Sequence, residues 1–265
     1  MVKIWTFAGG GEAEARGLLP FLEQLFEDCE FQRRFPAGLK QNPKKPRTFP
    51  TDQDYREKQK ASARGATGNS LLKQIQARLV DGIKYDPQPD LILVFDDLDC
   101  HNLAHKKRIL QEAIENYLTS LGTIAIPVVV GFAAPELEAW IIADWDQSVQ
   151  NNVELKRYSF EIKSCLKTYE VNFDFPENFS IYFEHDNPQE DYTLPSNTLQ
   201  KGSCREKLSK ILQDCVTKHT SMHYSKDTHT SDLVKKLDHI KLMDKCPIFK
   251  ELYLDLKQHI ESIQK

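Results

Sequence analysis

Residues 90–99, Asp-Leu-Ile-Leu-Val-Phe-Asp-Asp-Leu-Asp, set five apolar residues in a row between Pro89 and a cluster of acids. A strand with one wet face alternates apolar and polar residues. An unbroken apolar run belongs to a strand covered on both faces, the mark of a parallel sheet interior. Thr123 to Phe132 (TIAIPVVVGF) carries the same signature, and Val2 to Phe7 reads as a further strand. Helical spacing fills the intervals: Gly17 to Phe26 despite Pro20, a helix capped by Asn69 and running to about Ile83, and His105 to Leu121, ending at Gly122. The run Pro135-Glu-Leu-Glu-Ala-Trp-Ile-Ile-Ala-Asp-Trp145 is helix-like as well. This order predicts an α/β fold with a mostly parallel sheet flanked by helices.

At 265 residues and 40% hydrophobic content the chain can bury a substantial core. A net charge of −4 excludes a molecule that is cationic throughout, so nucleic-acid binding would need a local basic patch. One exists within the insertion 36–69, where Lys44, Lys45, Arg47, Lys58, Lys60 and Arg64 stand among prolines with few acids. Six scattered cysteines without a Cys-x-x-Cys pair argue against a zinc module or a disulfide framework and for reduced thiols. The amino terminus does not read as a signal peptide, and the longest apolar stretch is too short to span a bilayer, so a cytoplasmic protein is expected.

Beyond the α/β core, assigned to 1–150, the pattern becomes mainly helical over 151–265, expected to pack on that core. Asn172 to Asn197 reads as an acidic loop with one possible strand, Phe179 to Glu184. Ser203-Cys-Arg-Glu206 is a capping box opening a helix to about Val216. Two more helices are expected near Ser231 to Leu242 and from Pro247 to Ile263.

The chemistry concentrates where the apolar strands end. Asp96, Asp97 and Asp99 follow one strand directly, at the edge where α/β sheets place ligands, and such crowded carboxylates favour a divalent cation. Glu136 and Glu138 follow the next strand; if the two strands are neighbours, these acids supply further oxygen ligands for Mg²⁺ or Mn²⁺. Gly9, Gly10 and Gly11 lack the spacing of a P-loop or a dinucleotide motif and read as a sharp turn from which Glu12 projects. Trp140 and Trp145 read as core residues. His219, His223 and His229 are too irregularly spaced for zinc and suit surface or phosphate-contacting roles.

An acid-glycine turn after the first strand, a strand ending in Asp97-Leu-Asp99 and a later acidic pair resemble the Toprim metal site of topoisomerases, primases and OLD-type nucleases. DDLDC (96–100), PELEAWIIADW (135–145) and YSKDTHTSDLVKKLD with CPIFKELYLDL (224–256) further resemble small Toprim-like bacterial proteins, often encoded beside ABC-type ATPases in phage-defence loci. The resemblance runs from the first strand to the last helix and implies a cytoplasmic, Mg²⁺-dependent nuclease. In that pattern a glutamate and another four places later map onto Ala8 and Glu12. The Asp-x-Asp falls on Asp97 and Asp99, the later acidic ligand on Glu136 or Glu138, and a phosphate-contacting lysine on Lys226. Ala8 stands where the resemblance expects its first glutamate, so the chain reads either as an inactive relative or as a substituted form.

The resemblance implies phosphodiester hydrolysis of DNA or RNA, tRNA included, by an effector that works with a defence ATPase. The competing expectation is a non-catalytic adaptor that keeps the fold and docks on that ATPase. Nucleotidyl transfer at the same acids is a third. Whether the chain pairs with a second copy is left open.

Overall fold

A computed structural model of the protein describes residues 1–36, 66, 68–99, 101–123, 126–178, 207–220, 222 and 224–265, without the side chains of Glu12, Ala13 and Asp227. Lys44, Lys45, Arg47, Lys58, Lys60 and Arg64, the possible strand 179–184, and the capping box 203–206 lie outside the described residues.

Four strands form one sheet: β1 (Val2–Ala8), β2 (Cys29–Phe35), β3 (Leu91–Asp97) and β4 (Val128–Ala133), in the order β2-β1-β3-β4 and all parallel. Every residue of β3 is buried, as its unbroken apolar run requires. β2 was not legible in the sequence. It is an edge strand whose Glu30, Gln32, Arg33 and Arg34 stay at least partly exposed, so its composition resembles a loop.

The helices are α1 (Glu12–Leu25), α2 (Gly68–Tyr85), α3 (Leu103–Ser120), α4 (Glu138–Ala143), α5 (Ser159–Thr168), α6 (Leu208–His219), α7 (Ser231–Val234), α8 (His239–Lys245) and α9 (Pro247–Ile263). Side chains alternate across a strand, and the sheet therefore has two apolar faces. On one, Leu71, Ile75 and Leu79 of α2 and Leu110, Ile114 and Leu118 of α3 pack with Trp5, Phe7, Ile92 and Val94. On the other, Leu18, Phe21 and Leu22 of α1 and Phe249 and Leu252 of α9 pack with Ile4, Leu93 and Phe95. Trp140 and Trp145 belong to this second cluster, as their apolar neighbours suggest.

Two buried carboxylates organise the carboxyl-terminal half. Glu177 accepts hydrogen bonds from the backbone N–H groups of Ile248 (2.7 Å) and Phe249 (3.3 Å) and from Trp140 Nε1 (3.4 Å), so it satisfies the open first turn of α9 from a distant loop. Asp144 accepts from Asp238 N at 2.8 Å and from Lys241 Nζ at 3.1 Å. The single helix expected from Ser231 to Leu242 is consequently broken: α7 stops at Val234, and Asp238 caps α8 through Ile240 N at 2.9 Å.

Cys165 of α5 and Cys215 of α6 are joined as a disulfide, with Cα atoms 5.7 Å apart. This corrects the expectation of reduced thiols for that pair: 50 residues separate the two cysteines in sequence, and only the packing of the two helices brings them together. Cys29 and Cys246 are free and buried. Among the described residues no helix is long and apolar enough to cross a membrane.

Candidate active site

The parallel register of β3 and β4 pairs Asp97 with Ala133. Pairing continues past the strands, because Leu98 N donates to Ala133 O at 2.7 Å and Asp99 N donates to Pro135 O at 3.0 Å. The loops bearing the two acidic groups are thereby zipped together, as neighbouring strands would require. Asp99 holds a positive φ of 50°, a conformation that aspartate tolerates better than most residues.

The glycine turn after β1 supplies the third side of the site. Gly11, with φ 107° and ψ −148°, adopts a backbone that other residues avoid and redirects the chain into α1. A Cβ on Gly10 would lie 2.0 Å from Glu14 Oε1, and one on Gly9 would lie 2.2 Å from Asp96 Oδ1. The glycines therefore do more than turn the chain, because they leave room for two carboxylates.

Four acids converge on one ammonium group. Lys226 Nζ stands 3.4 Å from Asp97 Oδ2, 3.6 Å from Glu14 Oε1, 3.6 Å from Glu138 Oε2 and 3.9 Å from Glu136 Oε1. All four acids are buried. Lys226 begins a π-helical turn, Lys226–Thr230, a rare geometry often found at functional sites. At the rim, Lys207 Nζ lies 3.5 Å from both Asp99 Oδ1 and Glu136 Oε1, with its side chain 61% exposed.

Each carboxylate except Glu14 is oriented by a neutral donor or by the backbone. Leu137 N donates to Asp97 Oδ1 at 3.1 Å, Ser209 N to Glu136 Oε2 at 2.8 Å, and Thr230 Oγ1 to Glu138 Oε1 at 2.9 Å. Tyr224 OH hydrogen-bonds to Thr230 Oγ1 at 2.9 Å, extending that chain inward. Neither oxygen of Glu14, nor Oε2 of Glu138, has a hydrogen-bond partner among the described residues.

The electrostatics follow from this crowding. Burial pushes the Glu14 carboxyl up to about 6, against the pull of Lys226. Burial also raises Asp97 well above the ordinary range, with Glu14, Glu136 and Glu138 adding to the shift and Lys226 opposing it. Glu138 is raised for the same first reason. Burial works against the charged form of Lys226, yet Asp97, Glu138, Glu14 and Glu136 outweigh it and hold the ammonium far above its ordinary value.

Asp97, Asp99, Glu136, Glu138 and Lys226 are thus brought together, as the sequence suggested. Asp96 is not: it points to the opposite face of the sheet, where its Oδ2 pairs with Lys106 Nζ of α3 at 2.9 Å. Glu12 opens α1, and its side chain lies outside the described structure. Ala8 is buried and pairs with Phe95 in the β1–β3 register. By strand alternation it shares the face that carries Ile4, Phe95 and Asp97. Sequence reasoning missed Glu14 and Lys207. Glu14 carried a signal, since its side chain needs the space that a glycine four residues earlier leaves open; Lys207 carried none.

Among the described residues, no three His, Cys, Asp or Glu side chains stand ready as a ligand shell. The acids surround an ammonium group at distances longer than the 2.0–2.6 Å typical of Mg²⁺ or Ca²⁺ coordination. The donor set nevertheless suits a hard cation. It is all oxygen, it is buried, and three of its oxygens lack hydrogen bonds. A separate cavity of about 500 Å³, lined by Leu103, Lys107, Arg108 and Glu251 among others, includes none of these acids. In comparisons with known proteins, no family model, curated protein or solved structure matches this chain.

Proposed function

We propose that the chain is a metal-dependent, Toprim-type nuclease, an effector of bacterial defence against phage that hydrolyses DNA or RNA, tRNA included, alongside an ABC-type ATPase. The observation that carries this reading is the convergence of Glu14, Asp97, Glu136 and Glu138 at the carboxyl end of a parallel sheet around the Lys226 ammonium. Glu14, Asp97 and Glu138 would hold Mg²⁺ or Mn²⁺, with Asp99 and Glu136 at the rim. The cation, when bound, supplies charge stabilisation for a phosphate.

The protein's own residues do the rest. Thr230 and the Leu137 N–H orient Glu138 and Asp97, and losing such support typically costs a metal site about 10–100-fold in affinity. Lys207, exposed at the rim, is placed to meet a substrate phosphate and hold it at the acids. Lysines and arginines of the segment 36–69 would add backbone contacts.

A second reading, a non-catalytic adaptor of the ATPase, is favoured by Ala8 in place of a carboxylate. The experiment is Mg²⁺- and Mn²⁺-dependent cleavage of plasmid DNA and total tRNA by this chain and by Ala8→Glu, with Asp97→Ala as the blank. Cleavage that appears or rises with Ala8→Glu and is absent in the blank supports the nuclease. No cleavage by either form, with the ATPase also present, favours the adaptor.

A further inference from the structure

We propose that the Lys226 ammonium is the resident counter-ion of this site and competes with a divalent cation for Glu14, Asp97 and Glu138, so that the cation binds only when Lys226 withdraws. The proposal rests on the metal-dependent reading above and adds a form of regulation to it.

Its first support is the pattern of distances. Four oxygens from four acids lie between 3.4 and 3.9 Å from Nζ, and the nearest is beyond the usual 2.7–2.9 Å of a charge-assisted hydrogen bond. Lys226 is therefore shared by the cluster instead of being paired with one member. It occupies the centre that a cation bridging the same oxygens would need. Two cations a few Å apart in a partly buried site repel strongly.

The second support is the means of leaving. Glu14 and Glu138 are 0% exposed, while the Lys226 side chain is 31% exposed, so part of it already meets solvent. Lysine is a flexible chain with a compact charge. Glu138 does not depend on Lys226 for its orientation, because Thr230, at the far end of the same π turn, holds the other oxygen. Asp97 is likewise held by the Leu137 N–H, so withdrawal of Lys226 leaves these two acids in place and frees the unbonded oxygens of Glu14 and Oε2 of Glu138 for a cation.

The test is calorimetric titration of the full chain and of Lys226→Met with MnCl₂ at neutral pH. The expected result is Mn²⁺ binding roughly tenfold or more tighter in Lys226→Met. Equal or weaker binding in the variant, with the wild type binding normally, overturns the competition and leaves the metal-dependent reading standing. No Mn²⁺ binding by either form overturns both. Should Lys226→Met fail to fold, acetylation of the wild-type chain by a water-soluble amine reagent, read by mass spectrometry, decides the matter. Lys226 is expected to become several-fold more reactive when Mn²⁺ is added, while Lys3 does not change. Unchanged or lower reactivity at Lys226 overturns the proposal.

Discussion

Lys106 of α3 holds its ammonium 2.9 Å from Asp96 Oδ2, with both side chains almost completely buried, and Lys106 also donates to the carbonyl of Asp97 at 2.5 Å. The pair lies on the sheet face opposite the acid cluster and ties the end of β3 to α3. Removing one partner of a buried ion pair leaves an uncompensated charge, so Lys106→Met is expected to lower stability by about 3–5 kcal/mol. Urea unfolding checks this. The double variant Lys106→Met/Asp96→Asn should recover much of the loss, and a double variant no more stable than the single one would show that the pair is not the source.

Thr230 is the hinge of a hydrogen-bonded chain from Tyr224 to Glu138. Thr230→Val keeps the shape and removes both bonds. Stability should fall by about 1–3 kcal/mol, the cost of leaving buried polar groups unpaired. If Glu138 is a ligand, Mn²⁺ affinity should fall by roughly 10–100-fold. Denaturant melts and titration calorimetry on the same preparation measure the two effects separately.

Glu177 gives the fold a pH dependence. Burial raises its carboxyl to about 7, although the N–H groups of Ile248, Trp140 and Phe249 pull it back. The folded protein thus keeps a proton that the unfolded chain releases above its ordinary pKa of about 4.5. This contribution to stability is present below the unfolded pKa and is lost as pH rises toward 7. Thermal melts between pH 4.5 and 7 should show a smaller decline with rising pH in Glu177→Gln than in the wild type, on the order of 3 kcal/mol of difference across the window. Parallel profiles for the two proteins would exclude the effect.

The Cys165–Cys215 disulfide closes a 50-residue loop between α5 and α6. Restricting a loop of that size in the unfolded chain is worth about 4 kcal/mol by loop entropy. Cys165→Ser/Cys215→Ser should therefore unfold at lower urea than the oxidised protein. Thiol counting by mass spectrometry in denaturant shows whether the bond is present in the purified chain. Because α6 also carries Ser209, whose N–H binds Glu136, the variant reports on the site as well.

What the sequence by itself determined is local. Leu91 to Phe95 and Val128 to Val130 are apolar without alternation, which demands a strand covered on both sides, and acids that follow such strands must gather at one sheet edge. The α/β class follows from this, and so does the meeting of Asp97 with Glu136 and Glu138 once the two strands pair as neighbours. The edge strand β2 was hidden by its charges. Lys207, the inward turn of Lys226 and which of Asp96 and Asp97 faces the cluster were decided only by tertiary structure. Each depends on contacts between residues 9 to 212 positions apart, as with Lys106 on Asp97 and Lys226 on Glu14. Sequence spacing does not encode which face of a strand a distant helix will cover. The sign of a pKa shift, set by burial as at Glu177, likewise exists only once the core has closed around the group.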